Sequence, residues 1–140
     1  MYFISNLAKR TGLSVHTLRY YEKEGLLSAS GRTASGYRQY NEDDLKQAMF
    51  IAQGKQAGFS LEDIKHLISI RLDKDHHTCE EVSVITRSKL EQTKKKIAEL
   101  ESIKIGLERM LDICCGGQEA ATECSILSLL EPNQQDIKEQ

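Results

Sequence analysis

The residues of this chain best equipped for chemistry are four cysteines, at 79, 114, 115 and 124. They come as one, then a pair, then one more. That spacing is neither a zinc ribbon nor a Cys-x-x-Cys redox pair. Free cysteines are often small buried hydrophobes. Cys79, however, opens a segment with His76, His77, Glu80 and Glu81, which is a polar setting. Cys114, Cys115 and Cys124 bracket a loop containing Gly116 and Gly117, as a loop that wraps an ion needs. Thiolates in such a setting favour a soft or borderline ion such as Zn(II), Cd(II) or Pb(II). Thiol catalysis is the competing chemistry. His76 and His77 flank Cys79, but nothing supplies an oxyanion site or an orienting acid. As plain loop residues, both histidines are expected to be solvent-exposed.

The elements around the cysteines decide whether they can meet. Thr78-Cys79-Glu80-Glu81 reads as a capping box, with Thr78 capping and Glu81 reaching back. A long helix should follow, because positions 79 to 113 contain no Pro and only one Gly, Gly106. Val82, Thr86, Leu90, Thr93, Ile97, Leu100, Leu107, Leu111 and Cys114 recur at three- and four-residue steps, broken only at Lys104. This is a coiled-coil seam, and the chain offers no second long helix to cover it, so its simplest partner is another copy. One helix from 79 to 114 spans about 50 Å at 1.5 Å per residue, so Cys79 and Cys114 of one chain cannot share an ion. Antiparallel pairing brings Cys79 of one copy to Cys114–Cys124 of the other. A parallel coil would leave Cys79 with only its twin. After Cys124, Ser125 is expected to cap a last short helix, Ile126 to Leu130, ahead of Pro132 and a polar tail.

The first seventy residues carry a different message. Residues 1–40 hold six basic side chains and two acidic ones, a net of +4. The whole chain carries −2, so the remaining hundred residues carry −6. One end therefore suits a polyanion. Ser5 is expected to cap a helix ended by Gly12, and Ser14 a second helix ended by Gly25. Such a pair, joined by a tight turn, matches a helix-turn-helix, closed by Leu13, Leu18, Tyr21 and Leu26. Gly31 to Tyr40 reads as a short hairpin, a wing, turning at Ser35-Gly36. Tyr37 and Tyr40 suit its strands. It is basic and aromatic with little to bury, so it should face a ligand or polyanion. Asn41 caps a third helix with Leu45, Met49 and Ala52 on one face and Phe50 beside it. Ser60 caps a fourth with Leu61, Ile64, Leu67 and Ile68.

Composition sets the class. At 39% hydrophobic and 29% charged, the chain is globular rather than disordered. No stretch approaches the roughly 18 apolar residues of a membrane span. Lys9 and Arg10 follow the short apolar opening instead of preceding it, unlike a signal peptide. A cytoplasmic protein is expected, where thiols stay reduced and serve metals or reactions.

Residues 17–27, Thr-Leu-Arg-Tyr-Tyr-Glu-Lys-Glu-Gly-Leu-Leu, then Arg32 and Gly36-Tyr37-Arg38-Gln39-Tyr40, resemble the MerR family of transcription regulators. Ile51, Gly58-Phe59-Ser60-Leu61 and Ile64 continue the likeness. His76-His77-Thr78-Cys79, Cys114-Cys115 and Cys124-Ser125-Ile126-Leu127 resemble the family's zinc-responsive branch. The resemblance covers nearly the whole chain and thins after residue 131. It implies a homodimer on a pseudo-palindromic operator between promoter elements spaced too far apart for RNA polymerase. Metal binding then lets the dimer distort the DNA and activate transcription of metal-efflux or resistance genes. In the metal branch a cysteine at the place of Cys79 accompanies divalent ions, whereas copper(I) sensors carry Ser there. The zinc pattern has a His where this chain has Glu119, a harder ligand. The implied metal set is Cys79, Cys114, Cys115, Cys124 and Glu119. The implied DNA-binding set is Ser14, His16, Thr17, Arg19, Tyr20, Arg32, Tyr37 and Arg38. A Cd(II) or Pb(II) regulator of the same architecture is the alternative. The family's iron–sulfur redox regulators crowd four cysteines into one short loop, unlike this chain. A bare metal-buffering coil is opposed by the basic hairpin and residues 17–25.

The expected fold is mainly all-α. A winged helix-turn-helix DNA-binding domain occupies 1–71. A linker and an antiparallel dimerisation helix occupy 72–113. A metal-binding loop and short C-terminal helix occupy 114–131, and 132–140 form a flexible tail. No catalytic site and no membrane contact are expected.

Overall fold

The computed structural model describes residues 1–132, so the expected tail lies, past Pro132, outside the described residues. Two compact units divide inside the long helix, one spanning Met1–Lys89 and the other beginning at Leu90. Apart from one two-stranded sheet, the elements are helical.

In the first unit, α1 (Ile4–Thr11) and α2 (Val15–Lys23) form the helix-turn-helix. The turn between them needs Gly12, whose φ of 76° lies in the left-handed region that glycine enters at little cost. Ser14 caps α2 as expected, accepting the Thr17 N–H at 3.0 Å. Ser5 does not cap α1. The helix starts two residues earlier than a Ser5 cap implies, and the Phe3 N–H donates to the Asn6 side chain at 2.8 Å. An Asn at the third helical position serves the helix start from inside, which a search for a Ser, Thr, Asp or Asn cap overlooks.

The hairpin pairs β1 (Gly31–Arg32) with β2 (Arg38–Gln39), antiparallel, with only two residue pairs in register. Gly36, at φ 90°, makes its turn. The hairpin is not wholly given to a polyanion: Tyr40, just past β2, is fully buried. Its backbone forms an antiparallel bridge with Tyr2, with N–H···O distances of 2.7 Å in both directions. An aromatic next to a short strand cannot be sorted by sequence into core or ligand face. Here burial of the ring decides.

Helix α3 (Glu42–Gln56) starts with the Asn41/Asp44 capping box and packs on α1. Its buried face is Leu45, Ala48 and Ile51; Met49 is exposed. The expected face, through Met49, is therefore rotated by one position at its middle. Ala48 is small enough to let α3 come close to its neighbours, and a search weighted to large side chains passes it over. Helix α4 (Leu61–Arg71) is capped by Ser60 and buries Ile64, Ile68 and Ile70. Ile64 and Ile68, with Leu7, Leu18, Tyr21 and Leu26, close the core.

A single-turn 3-10 helix at Lys74–His76 leads to α5 (Cys79–Ile113). The Glu81 N–H donates to the Thr78 hydroxyl at 3.3 Å. The Glu81 carboxylate does not reach back to the Thr78 backbone; it pairs with His77 Nδ1 at 2.5 Å. A half-buried imidazole two residues before the helix outcompetes one backbone donor.

The second unit carries the remainder of α5, a 3-10 turn at Ala121–Glu123 and α6 (Ser125–Leu130). The N-cap position of α6 is Cys124 rather than Ser125. No residue of α5 is buried. Leu90, Ile97, Leu100, Leu107 and Leu111 are each at least half exposed in the single chain. A stripe so apolar and so exposed needs a covering surface. Among the described residues no helix is long and apolar enough to cross a membrane.

Candidate functional site

Two sets of residues could act, one in each unit. In the first unit, α2 and the hairpin present the basic and aromatic side chains. Arg19, Arg32, Tyr37 and Arg38 line one open groove of about 570 Å³ together with Phe3, Ile4 and Ser5. His16, Thr17 and Tyr20 line a second hollow with Tyr21, Lys55 and Leu61. Arg19, Tyr20, Arg32, Tyr37 and Arg38 are all exposed, as a nucleic-acid contact requires. Tyr21 belongs to the core, where burial, then the neighbouring Tyr20, push its hydroxyl pKa up. Ser14 is occupied by capping, and its hydroxyl lies 2.8 Å from that of Thr17. Arg32 donates to the Gly36 carbonyl at 3.0 Å, so it braces the hairpin turn while its surface stays open. Arg38 is paired with Glu22 at 3.1 Å. Sequence reading missed Lys55 and Ser5 at the rims of these hollows. Lys55, in the last turn of α3, carries no local signal beyond its charge.

The arrangement is that of a groove reader. The N-terminal half of the second helix enters the major groove in this motif, and flanking cations meet phosphates.

In the second unit, the loop after α5 gathers sulfur and carboxylate in two pairs. Cys114 lies beside Cys124 and lowers its thiol pKa. The Cys115 thiol donates to Glu119 Oε2 at 3.8 Å, and the Gly117 N–H donates to Cys115 at 3.5 Å. The Glu119 carboxylate folds over Gly117 into space that a Cβ there would fill. Cys124 sits at the start of α6, where N–H groups of Leu127 and Ile126, then the Cys114 thiol, lower its pKa against the opposing effect of burial. N–H groups directed at sulfur favour the thiolate, the form that ligates metal.

Cys79 stands apart, in the first unit. It is exposed, and it borders an apolar groove walled by Phe50, Phe59, Leu67, Ile70 and Val82. Its setting is thus apolar on one side, unlike the wholly polar one expected. His76 is exposed as expected, though it bonds Asp73 at 2.6 Å, whereas His77 is partly buried against Glu81. Among the described residues no group of three or more His, Cys, Asp or Glu is close enough to hold an ion. The donor set of the loop fits a soft ion in kind, but one chain leaves it incomplete.

Comparison with known proteins bears on both sets. Residues 2–69 match the family described as "MerR HTH family regulatory protein", and residues 45–110 the one described as "MerR, DNA binding". The transcriptional regulator ZntR of Escherichia coli K12 is 43% identical over 138 residues, 99% of this chain and 98% of ZntR. The crystal structure of the regulator PbrR691 from Ralstonia metallidurans, in complex with lead(II), superimposes with a TM-score of 0.78 at 30% identity, covering 94% of this chain and all of that one. HiNmlR, a MerR family regulator bound to promoter DNA, superimposes at 0.58 with 31% identity, covering 94% of this chain and 96% of its own. The matched residues take in the helix-turn-helix, the hairpin and most of α5, and with that span the chain belongs to the MerR family of helix-turn-helix transcriptional regulators.

Proposed function

We propose that this regulator is a homodimeric, zinc-responsive activator that binds a promoter operator through α2 and the hairpin of each copy. It is not an enzyme, in keeping with its family. The observation that carries the metal reading is the loop after α5, with Cys114 against Cys124 and Cys115 against Glu119. Those residues, with Cys79 of the partner subunit, would hold the ion. When bound, the ion supplies a link between thiolates of two subunits. The exposed seam of α5 supports a second copy as the partner. An antiparallel pair gives each loop the missing thiol.

Activation follows from coupling. The loop thiols lie in the second unit, whereas Cys79 and the DNA-contact residues lie in the first, so the chain holds DNA without metal, and an ion that ties Cys79 to the loop of the other copy changes its setting on DNA. Only different affinities for the two settings can drive that change, typically about 1–3 kcal/mol. RNA polymerase is reached through the distorted promoter, and metal-efflux or resistance genes are the expected targets.

A Cd(II)- or Pb(II)-responsive regulator is the second reading. It is favoured by Glu119, and by the likeness to a structure holding lead(II). Transcription from an operator-bearing promoter across buffered Zn(II), Cd(II), Pb(II) and Cu(I) separates the two. The greatest response is expected with Zn(II). Response to Cd(II) or Pb(II) with Zn(II) inert would establish the second reading.

Arg19 is the foremost DNA contact of this reading: it is exposed at the middle of α2, in the groove shared with the hairpin. Arg19→Ala should weaken operator binding by about 1–3 kcal/mol, the range for a good arginine–base contact, with dimer and metal uptake intact. Unchanged operator affinity by fluorescence anisotropy would refute the assignment.

A further inference from the structure

We propose that Glu22 is the positioning residue that fixes the hairpin's Arg38 against α2, so that this arginine meets DNA already oriented. The inference rests on the DNA-binding reading above. Glu22 lies in the last turn and a half of α2 with its side chain only 12% exposed. Its two carboxylate oxygens are divided. One pairs with Arg38 Nη1 at 3.1 Å, and the other accepts from the Tyr40 hydroxyl.

These three residues join the two elements that line the DNA-side groove. The hairpin has only two residue pairs, and a two-stranded ribbon of that size does not hold its own orientation. It must be tied from outside. One tie is Ser30 donating to Asp44 at the foot of α3. It fixes the base of β1 but touches no cation. The Glu22 tie alone takes hold of an arginine that faces solvent. Tyr40 cannot yield, since its ring is fully buried and its backbone is bonded to Tyr2 both ways. Its hydroxyl therefore sets the Glu22 carboxylate, and the carboxylate sets Arg38.

Arg38 keeps 42% of its side chain exposed. A guanidinium has five N–H donors in a rigid fork, so a bond to Glu22 leaves others for a phosphate. A residue held in its bound conformation loses less freedom on binding. Electrostatics alone predicts the opposite sign, because a carboxylate near DNA repels it. The two accounts therefore differ in direction.

The test uses full-length protein and a duplex selected by the wild type from a randomised pool. Affinity is measured against salt for Glu22→Gln, Arg38→Gln, the double variant and Tyr40→Phe, with thermal unfolding alongside. Glu22→Gln is expected to weaken binding about tenfold, an effect that disappears in the Arg38→Gln background. Its slope of log affinity on log salt should fall by about 0.9, the loss of one phosphate contact. Tyr40→Phe keeps the buried ring and should give a smaller loss in the same direction, which tests the inference even where Glu22→Gln does not fold. Unchanged or tighter binding by Glu22→Gln overturns it, as does a loss that persists in full without Arg38. If the wild type selects no duplex, the DNA-binding reading itself fails.

Discussion

Replacing Cys79, Cys114 or Cys124 singly by serine is expected to abolish zinc-stimulated transcription and leave operator binding in place. The coupling at stake, about 1–3 kcal/mol, corresponds to a 5- to 150-fold response. Each variant should fall to the metal-free level. Cys114 and Cys124 lie together at the loop, and the N–H groups facing Cys124 lower its pKa, so a hydroxyl in either place removes a soft donor. Cys79 belongs to the other unit, and its loss removes the only thiol that unit offers. Cys115→Ser should be milder, because its neighbour is the harder Glu119. Metal stoichiometry measured beside transcription checks all four. Normal zinc activation in the Cys79, Cys114 and Cys124 variants would end this mechanism.

The second large effect is on assembly. Leu100 sits in mid-seam of α5 and is 63% exposed in the single chain. In a dimer it would be covered, so Leu100→Glu would bury an unpaired charge. The variant should sediment as a monomer and lose operator binding, since a two-fold operator needs both recognition helices at fixed spacing. A dimer of undiminished affinity would show that the seam is not the interface. Direction is tested separately by mild oxidation of the wild type. Cys79–Cys114 links between subunits are expected, and Cys79–Cys79 links alone would mean a parallel coil.

Much of this was legible in the sequence because the signals were local. Ser14, Asn41 and Ser60 cap the helices they were expected to cap, since each serves a backbone N–H three residues away. The 35-residue α5 follows from a stretch without proline. What was hidden depends on distant residues. Tyr40 is core because Tyr2, at the far end of the unit's sequence, bonds its backbone and the core closes around its ring. The division of the Glu22 carboxylate between Arg38 and Tyr40 involves residues 16 and 18 positions away in the chain, a partnership no spacing rule announces. At the loop, residue types pointed to metal, and spacing pointed to a set shared between copies. The contacts of Cys114 with Cys124 and Cys115 with Glu119 needed the folded turn.

The bridge between Tyr2 and Tyr40 bears on how the protein is to be handled. Tyr2 is held by two backbone bonds, by its hydroxyl on Glu42 at 2.8 Å and by the Arg10 guanidinium 4.9 Å from its ring centre. Phe3, Ile4 and Ser5 line the same groove as Arg19 and Arg38. Anything fused ahead of Met1 therefore emerges beside the proposed DNA face and pulls on the anchor of the hairpin. Purification tags, fluorophores and surface tethers are best kept away from that end.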